Sequence, residues 1–487
     1  NVGPYNADGS YNINNSTNTM GMGNNTVPSN FYNPTALLGL NRYDAQNDHI
    51  IGNVGATVTL LEGLDFKTSY ALDWTKVENK TFESALHGPG FTARGNAVNT
   101  MNNINTWNWS NTLSFRRAFA AHNLSLLAGY EVQHFDFNRW GANRTQLSDQ
   151  YYENFEGSYG RIIPFANMLD AQSSLISYIS RINYDYAKRY FLTINFRRDG
   201  NSILGEDSKF GVFGGASLGW TLSEESFYKN SSLATIMNSV KLRASWGRVG
   251  NANNPNKFAS LNLYESGLYG DAPMLNYYQA GNTGLEWETS DQTNLGADIS
   301  FFHDRLQVEM TYFYNDVNGL ILNAPQSPSK GIPNNGIMLN VGSMYNRGFE
   351  FAFNTRIIER DAFNWNASLN FTTIKNRVTA LAEGNADIIG STSTAAEATN
   401  ITRVGYSVGS LYGAKTDGVN PETGQRIFIN RNGERVQYSH AVAAGQSRWT
   451  YLDGSPAAAI SGSDYYLLGN ALPTWYGGFD NTFQYKN

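Results

Sequence analysis

The chain has 487 residues, a net charge of −6 and no cysteine, with a pI near 5.6 and a mean hydropathy of −0.41. That length is too great for one ordinary compact domain. The missing cysteine excludes disulfides, thiolate nucleophiles and thiolate metal sites, and an acidic balance without a basic stripe argues against nucleic acid as a partner.

No apolar run approaches the ~18 residues of a membrane helix, no secretory signal opens the chain, and residues 1–25 read as a loop entered midway. Tyr (29), Phe (27), Trp (10) and Gly (47) are abundant, and helical apolar spacing is rare, so antiparallel β structure is expected. In chain order, Val54, Ala56, Val58 and Leu60 alternate with Gly55, Thr57 and Thr59. Phe66 to Trp74, Trp107 to Phe115 and Leu124 to Val132 repeat the pattern. So do Ile176 to Tyr186, Tyr190 to Phe196, Val240 to Trp246, Leu295 to Phe301, Leu306 to Tyr314, Phe349 to Phe353 and Phe363 to Phe371. Successive strand side chains point to opposite faces, so each segment has one apolar and one polar face. The polar face carries full charges in mid-strand (Lys241, Arg243, Asp298, Glu309) and must be wet. Strands of this length exceed the ~5–6 residues usual in soluble sheets and suit the ~9–11 of a tilted bilayer crossing. Aromatics at their ends (Trp74, Trp107, Trp140, Tyr186, Tyr190, Tyr314) are placed as in interfacial girdles.

Short connections at Glu62-Gly63, Ala187–Arg189, His303-Asp304 and Glu359–Asp361 alternate with long polar stretches at 76–104, 140–172, 250–288 and 318–344. That asymmetry is expected of a transmembrane barrel with tight periplasmic turns and long outer loops. Segment 223–238 reads as a longer turn with room for a brief helix. Strand parity makes 374–470 one long extracellular excursion followed by an inward strand, Trp475 to Tyr485. The count is about 13 crossings, and an odd number implies further strands outside this segment.

These residues resemble the SusC/RagA family of TonB-dependent outer-membrane transporters. The resemblance rests on "SYISRINYDYAKRYFLTINFRRDGNSILGEDSKFGVFGGASLGWTLSEESF" (177–227), "VKLRASWGRVGN" (240–251), "NLGADISFFHDRLQVEMTYFYNDVNGLI" (294–321) and "LGNALPTWYGGFDNTFQYKN" (468–487). "NPTALL" (33–38), "HNLSLLAGYE" (122–131), "NVGSMYNRGFEF" (340–351) and "YGAKTDGVNPETGQ" (412–425) complete it, from about Asn33 onward. It implies an all-β, antiparallel transmembrane β-barrel, part of a 22-stranded plugged type, in the outer membrane of a Gram-negative cell. It further implies import of glycan oligosaccharides or peptides, a SusD-like surface lipoprotein as lid, and energy from TonB–ExbB–ExbD. Neither plug domain nor TonB box is read in these residues, so this segment by itself would be neither gated nor energised. A passive porin and a surface adhesion or structural β protein are the alternatives.

No catalytic, cofactor or metal site is expected. HExxH, GxSxG in a strand–turn–helix setting and GxxxxGK[ST] are absent. His87, His122, His134 and His303 read as scattered, solvated histidines, with His122 and His303 in turns. "NPETGQRIFINRNGE" (420–434) reads as a hairpin turning at Asn432-Gly433, and "RRDGNS" (197–202) as an outer loop whose glycine supplies a turn conformation. The mixed charges Lys241, Arg243 and Arg356 against Glu131, Asp298, Glu309 and Glu350 read as a hydrated lumen wall. Substrate contact is expected from outer-loop aromatics, on which a sugar ring can lay its apolar face. The candidates are Tyr151, Tyr152, Tyr264, Tyr269, Tyr277 and Tyr278.

Overall fold

The computed structural model describes residues 2–27, 31–148, 159–164, 169–252, 256–270, 272–390, 398–440, 442 and 445–486. Among them run thirteen long antiparallel strands: β1 (Arg42–Leu61), β2 (Leu64–Glu83), β3 (Asn96–Phe119), β4 (His122–Leu147), β5 (Leu169–Tyr186), β6 (Tyr190–Asn201), β7 (Phe210–Thr221), β8 (Met237–Asn251), β9 (Glu288–Phe301), β10 (Leu306–Pro325), β11 (Gly336–Arg360), β12 (Phe363–Ala380) and β13 (Trp475–Tyr485). The number matches the sequence count. No helix among the described residues is long and apolar enough to cross a membrane.

The chain divides into two compact units, residues 1–113 with 129–178 and residues 114–128 with 179–487. In the first, β1 and β2 pair from Arg42↔Phe82 down to Leu61↔Leu64 around Glu62-Gly63. Gly63 has φ 79°, a conformation that suits glycine. A seven-residue helix, Pro34–Leu40, precedes β1. The Asn33 side chain caps it by accepting from Thr35 N and Ala36 N, and Pro34 starts it without loss of a backbone donor. The Asn33 backbone N–H donates to His87 Nε2 at 2.8 Å.

In the second unit β6 to β13 ladder in sequence order, each strand hydrogen-bonded to the next. Ala187 and Lys188 turn β5 into β6 with φ of 52° and 56°, and Phe302, His303 and Asp304 turn β9 into β10 with φ of 53°, 59° and 64°. The last tight turn is Asp361-Ala362, because β11 continues through Arg360. The 223–238 turn contains one turn of α-helix, Ser226–Lys229, and a 3-10 turn, Ser232–Thr235. Glu225 anchors this end, accepting from Tyr190 Oη at 2.5 Å, Trp220 Nε1 at 3.1 Å and Arg189 at 3.2 Å.

The described residues between β12 and β13 form two four-stranded sheets of short strands. One contains Arg426–Ile429 and Arg435–Tyr438, with Gly433 at φ 82° in the turn between them.

Several strands run well past their expected ends. The stretch 318–344 was expected as loop, yet β10 extends to Pro325 and β11 begins at Gly336, paired as Pro325↔Gly336. Residues 197–201 of "RRDGNS" are likewise strand, not loop, and only Ser202 turns: Gly200 pairs with Phe210. Its φ is ordinary, and a Cβ there would lie 2.4 Å from the Phe210 ring. Glycine is needed for close approach, not for a turn.

Among the described residues, buried apolar clusters are few and sit at the long-connection ends. One gathers Ile203, Leu204, Ala252, Ala259 and Leu285, with Trp287, Ile321 and Met338 packed against it. Another joins Phe82 and Ala97 to Leu147. The apolar strand faces lie open instead. Leu218 is 61% exposed, Leu295 52% and Phe349 50%. A soluble sandwich would cover these side chains with a second sheet. A bilayer-facing wall leaves them bare to the acyl chains.

Replacing Leu295 by Lys places a charge on this apolar face and is expected to cost about 2–4 kcal/mol near the bilayer centre. Asn294→Lys, on the opposite face, is expected to leave stability nearly unchanged. Urea unfolding of the folded protein in lipid vesicles measures both.

Candidate functional site

The polar face of the second unit is a laced wall. Arg243 grips Asp298 with contacts of 2.6 to 3.0 Å and reaches Thr311 at 3.5 Å. Arg181 donates to Asn195 at 2.7 Å, and Thr193 to Asn183 at 3.0 Å. These pairs stay partly exposed, so their net effect is to orient side chains rather than to add much stability. Arg356 lies apart, beside Glu359 at 3.4 Å next to a tight turn. In the first unit Glu131 accepts from Asn108 at 2.6 Å.

The aromatic candidates separate. Tyr151 and Tyr152 lie outside the described residues. The other four fall on one hairpin, Leu263–Tyr269 with Ala272–Gln279. Tyr264 and Tyr277 are direct cross-strand partners with ring centroids 5.4 Å apart. Tyr277 Oη donates to Asn262 Oδ1 at 3.1 Å. Tyr278 is set out of register by a bulge next to that pair, and Tyr269 sits beside the turn, 81% exposed. The structure therefore joins Tyr264 with Tyr277 and leaves Tyr269 and Tyr278 separate from them. Leu268 and Leu275, exposed at 70% and 72%, share the face of Tyr264 and Tyr277 by strand alternation. Sequence reading missed both, although 263–269 and 272–279 are apolar enough to have signalled two strands within 250–288.

The base of this hairpin is fixed by side chains. Gln279 Nε2 donates to the carbonyls of Phe258 (2.8 Å) and Leu261 (3.0 Å), and Asn282 Nδ2 donates to Met338 O at 2.9 Å. Gly281 passes so close to the Leu261 backbone that a Cβ would fall 2.2 Å from its carbonyl carbon.

No group of three or more possible metal ligands occurs among the described residues. Two expectations for the histidines are corrected. His122 is the first residue of β4, stacked on Phe119 at 5.0 Å and bonded through Nδ1 to Tyr184 Oη at 2.7 Å. His87 is fully buried rather than solvated. It is recruited as an acceptor for the Asn33 N–H, a long-range contact that local spacing does not reveal.

Residues 1–486 match the family described as "TonB dependent receptor-like, beta-barrel". The chain belongs to this family. Among its relatives, TonB-dependent receptor P3 of Formosa agariphila is 29% identical over 500 residues, covering 100% of the chain and 47% of the relative. TonB-dependent receptor SusC of Bacteroides thetaiotaomicron is 27% identical over 514 residues, covering 100% and 48%. The chain thus spans about half the length of the curated relatives it matches. Among solved structures, the RagAB peptide transporter superposes with a TM-score of 0.76 at 22% identity, over 99% of this chain and 50% of that one. The RagAB peptide importer in its open-open state gives 0.78 at 20% identity, over 99% and 49%. These likenesses carry the fold. The receptor barrel is an outer-membrane protein, which accounts for the bare apolar strand faces.

Two outcomes follow for this barrel. Burial holds the His87 imidazole below the ordinary histidine range, so it is neutral at pH 7 with Nε2 free to accept. A group that binds its proton less readily when folded supports the fold fully above its unfolded pKa. That support is lost as pH falls below about 6.5. Amide exchange at residues 33–41, corrected for intrinsic rate, is therefore expected to quicken between pH 7.5 and 5. Gly281→Ala is expected to loosen the tyrosine hairpin and make 258–282 sensitive to limited proteolysis while the strands stay protected.

Proposed function

We propose that the chain is the barrel portion of a SusC-like, TonB-dependent importer. The full protein would take up glycan oligosaccharides or peptides, working with a SusD-like lipoprotein that closes the outer mouth and drawing energy from TonB–ExbB–ExbD. The observation that carries this reading is the two-faced strand: apolar side chains bare on one side, a hydrated and charged wall on the other. Family membership and the SusC and RagAB likenesses support it.

Import of this kind forms and breaks no covalent bond in the cargo. Capture needs amphipathic contacts outside the membrane, and Tyr264 with Tyr277 supply two ring faces and a hydroxyl within one hairpin. A sugar ring or an apolar peptide side chain can lie on such a surface, with Asn and backbone groups beside it for polar partners. The long segment 374–470 is assigned to the outer side in the same reading, away from the tight turns.

Deleting the parent gene is expected to abolish growth on a subset of oligosaccharides or peptides. Restoring it as the Tyr264→Ala/Tyr277→Ala variant is expected to leave uptake reduced about tenfold, the loss of roughly one aromatic contact pair. Unchanged growth of the deletion strain on every such nutrient would overturn the proposal. Uptake that persists without TonB would point to a passive porin instead.

A further inference from the structure

On β11 and β12, charge appears on the apolar face next to its phenylalanines, among the tyrosines Tyr345 and Tyr314. Phe353, Phe351 and Phe349 share one side of β11 and are followed on that side by Arg347; Leu369 and Phe371 on β12 lead through Thr373 to Lys375 and Arg377. Arg347 and Lys375 are direct cross-strand partners, and Arg377 is the partner of Tyr345. All three cations are exposed. Like charges placed opposite one another on a sheet repel. No carboxylate among the described residues pairs with any of the three. Asp316, on the neighbouring strand opposite Tyr345, instead accepts from Asn318 at 3.1 Å. By contrast Arg248, on the corresponding end of β8, is neutralised by Asp291 at 2.7 Å.

Beside these cations is a cavity of about 470 Å³, lined by Lys375, Arg377, Tyr406, Leu472 and Pro473, with no acidic residue in its wall. Beneath it Phe371 and Trp475 meet with centroids 5.9 Å apart, and Trp475 is 64% exposed. The arrangement combines an aromatic pair on the lipid-facing strands with a cationic rim that has no carboxylate partner among the described residues, at the end away from the tight turns; Arg347 lies over the Tyr345 ring at 5.5 Å.

We infer that Arg347, Lys375 and Arg377 bind the phosphate of a phosphorylated glycolipid in the outer leaflet. Its acyl chains lie along Phe349, Phe371 and Trp475. The cations share the acyl-facing side of their strands, so the ligand is a lipid of the surrounding membrane rather than cargo in the lumen. Arginine and lysine donors to a phosphate form charge-assisted hydrogen bonds, which are strongest near the low-dielectric edge of the bilayer.

The test is native mass spectrometry of the full-length protein in detergent, titrated with bisphosphorylated lipid A, dephosphorylated lipid A or inorganic phosphate. Lipid A carrying two phosphates is expected to be retained, and the Arg347→Gln/Lys375→Gln/Arg377→Gln variant to retain it about tenfold more weakly. The charge-conserving Arg347→Lys/Lys375→Arg/Arg377→Lys variant should keep most of the binding, as should Arg356→Gln at the tight-turn end. Heat-modifiable gel migration reports folding of each variant. If the triple Gln variant fails to fold, lipid A binding to the native protein that is independent of its phosphates overturns the inference. Equal retention by the folded triple variant, equal retention of dephosphorylated lipid A, or full displacement by millimolar inorganic phosphate would each overturn it too.

Discussion

Unbroken backbone pairing is the constraint on which the rest depends. In hydrocarbon an unpaired N–H or C=O costs several kcal/mol, so a spanning strand must satisfy each of them with its neighbours. The ladders show how fully this is done: β9 and β10 pair without a shift from Thr289↔Asn318 to Phe301↔Leu306. Once the sheet satisfies its own backbone, the side chains are released from the usual duty of building a core. This explains why the described residues of so long a chain form only small buried apolar clusters and why half-exposed Leu, Phe and Trp side chains stud its strands. In water such a surface would aggregate; against acyl chains it is the favourable state.

The same constraint explains which parts of the fold were legible from sequence. Where one face meets lipid and the other water, period-two alternation is strong, as in Phe363 to Phe371 or Leu306 to Tyr314, and the strands were read correctly. Beyond the apolar band the two faces no longer differ: Leu320, Ile321 and Leu322 follow one another, as do Ile337, Met338 and Leu339, and Ile321 and Met338 pack on the buried cluster. There β10 and β11 continue to Pro325 and from Gly336, held by backbone pairing. Asn340 reaches Gly319 O and Glu286 O, each at 2.9 Å. Consecutive apolar residues broken by Asn and Gly carry no alternating contrast, so period-two reading places no strand there. Tight turns were legible for a simpler reason: interrupting a ladder within two to four residues needs left-handed backbone, and Gly63 announces it, although Phe302 to Asp304 achieve it without glycine.

The candidate site was legible only by residue type. Tyrosines in long polar connections were an expectation, but which of them meet depends on a hairpin register with a bulge beside Tyr264. That register follows from contacts between segments far apart in sequence, such as Asn282 to Met338 and the close passage of Gly281 over Leu261. His87 is the same case. Its burial comes from the segment around Asn33, with which it shares no local pattern.

The two faces also manage charge by different means. On the hydrated wall, arginine and carboxylate occur on adjoining strands, as with Arg243 and Asp298, and water screens whatever remains. A wall of mixed sign presents no deep electrostatic trap to ions of either charge. On the acyl-facing side, screening is poor, and the charges of β8, β11 and β12 lie beyond Trp246, Phe349 and Phe371. There charge is either cancelled within the protein, as Arg248 is by Asp291, or left for the membrane to cancel. The aromatic end residues therefore mark a change in the rule for pairing charge as well as a change in polarity. The position of a cation relative to Phe349 or Phe371 determines its environment more than its neighbours in sequence do.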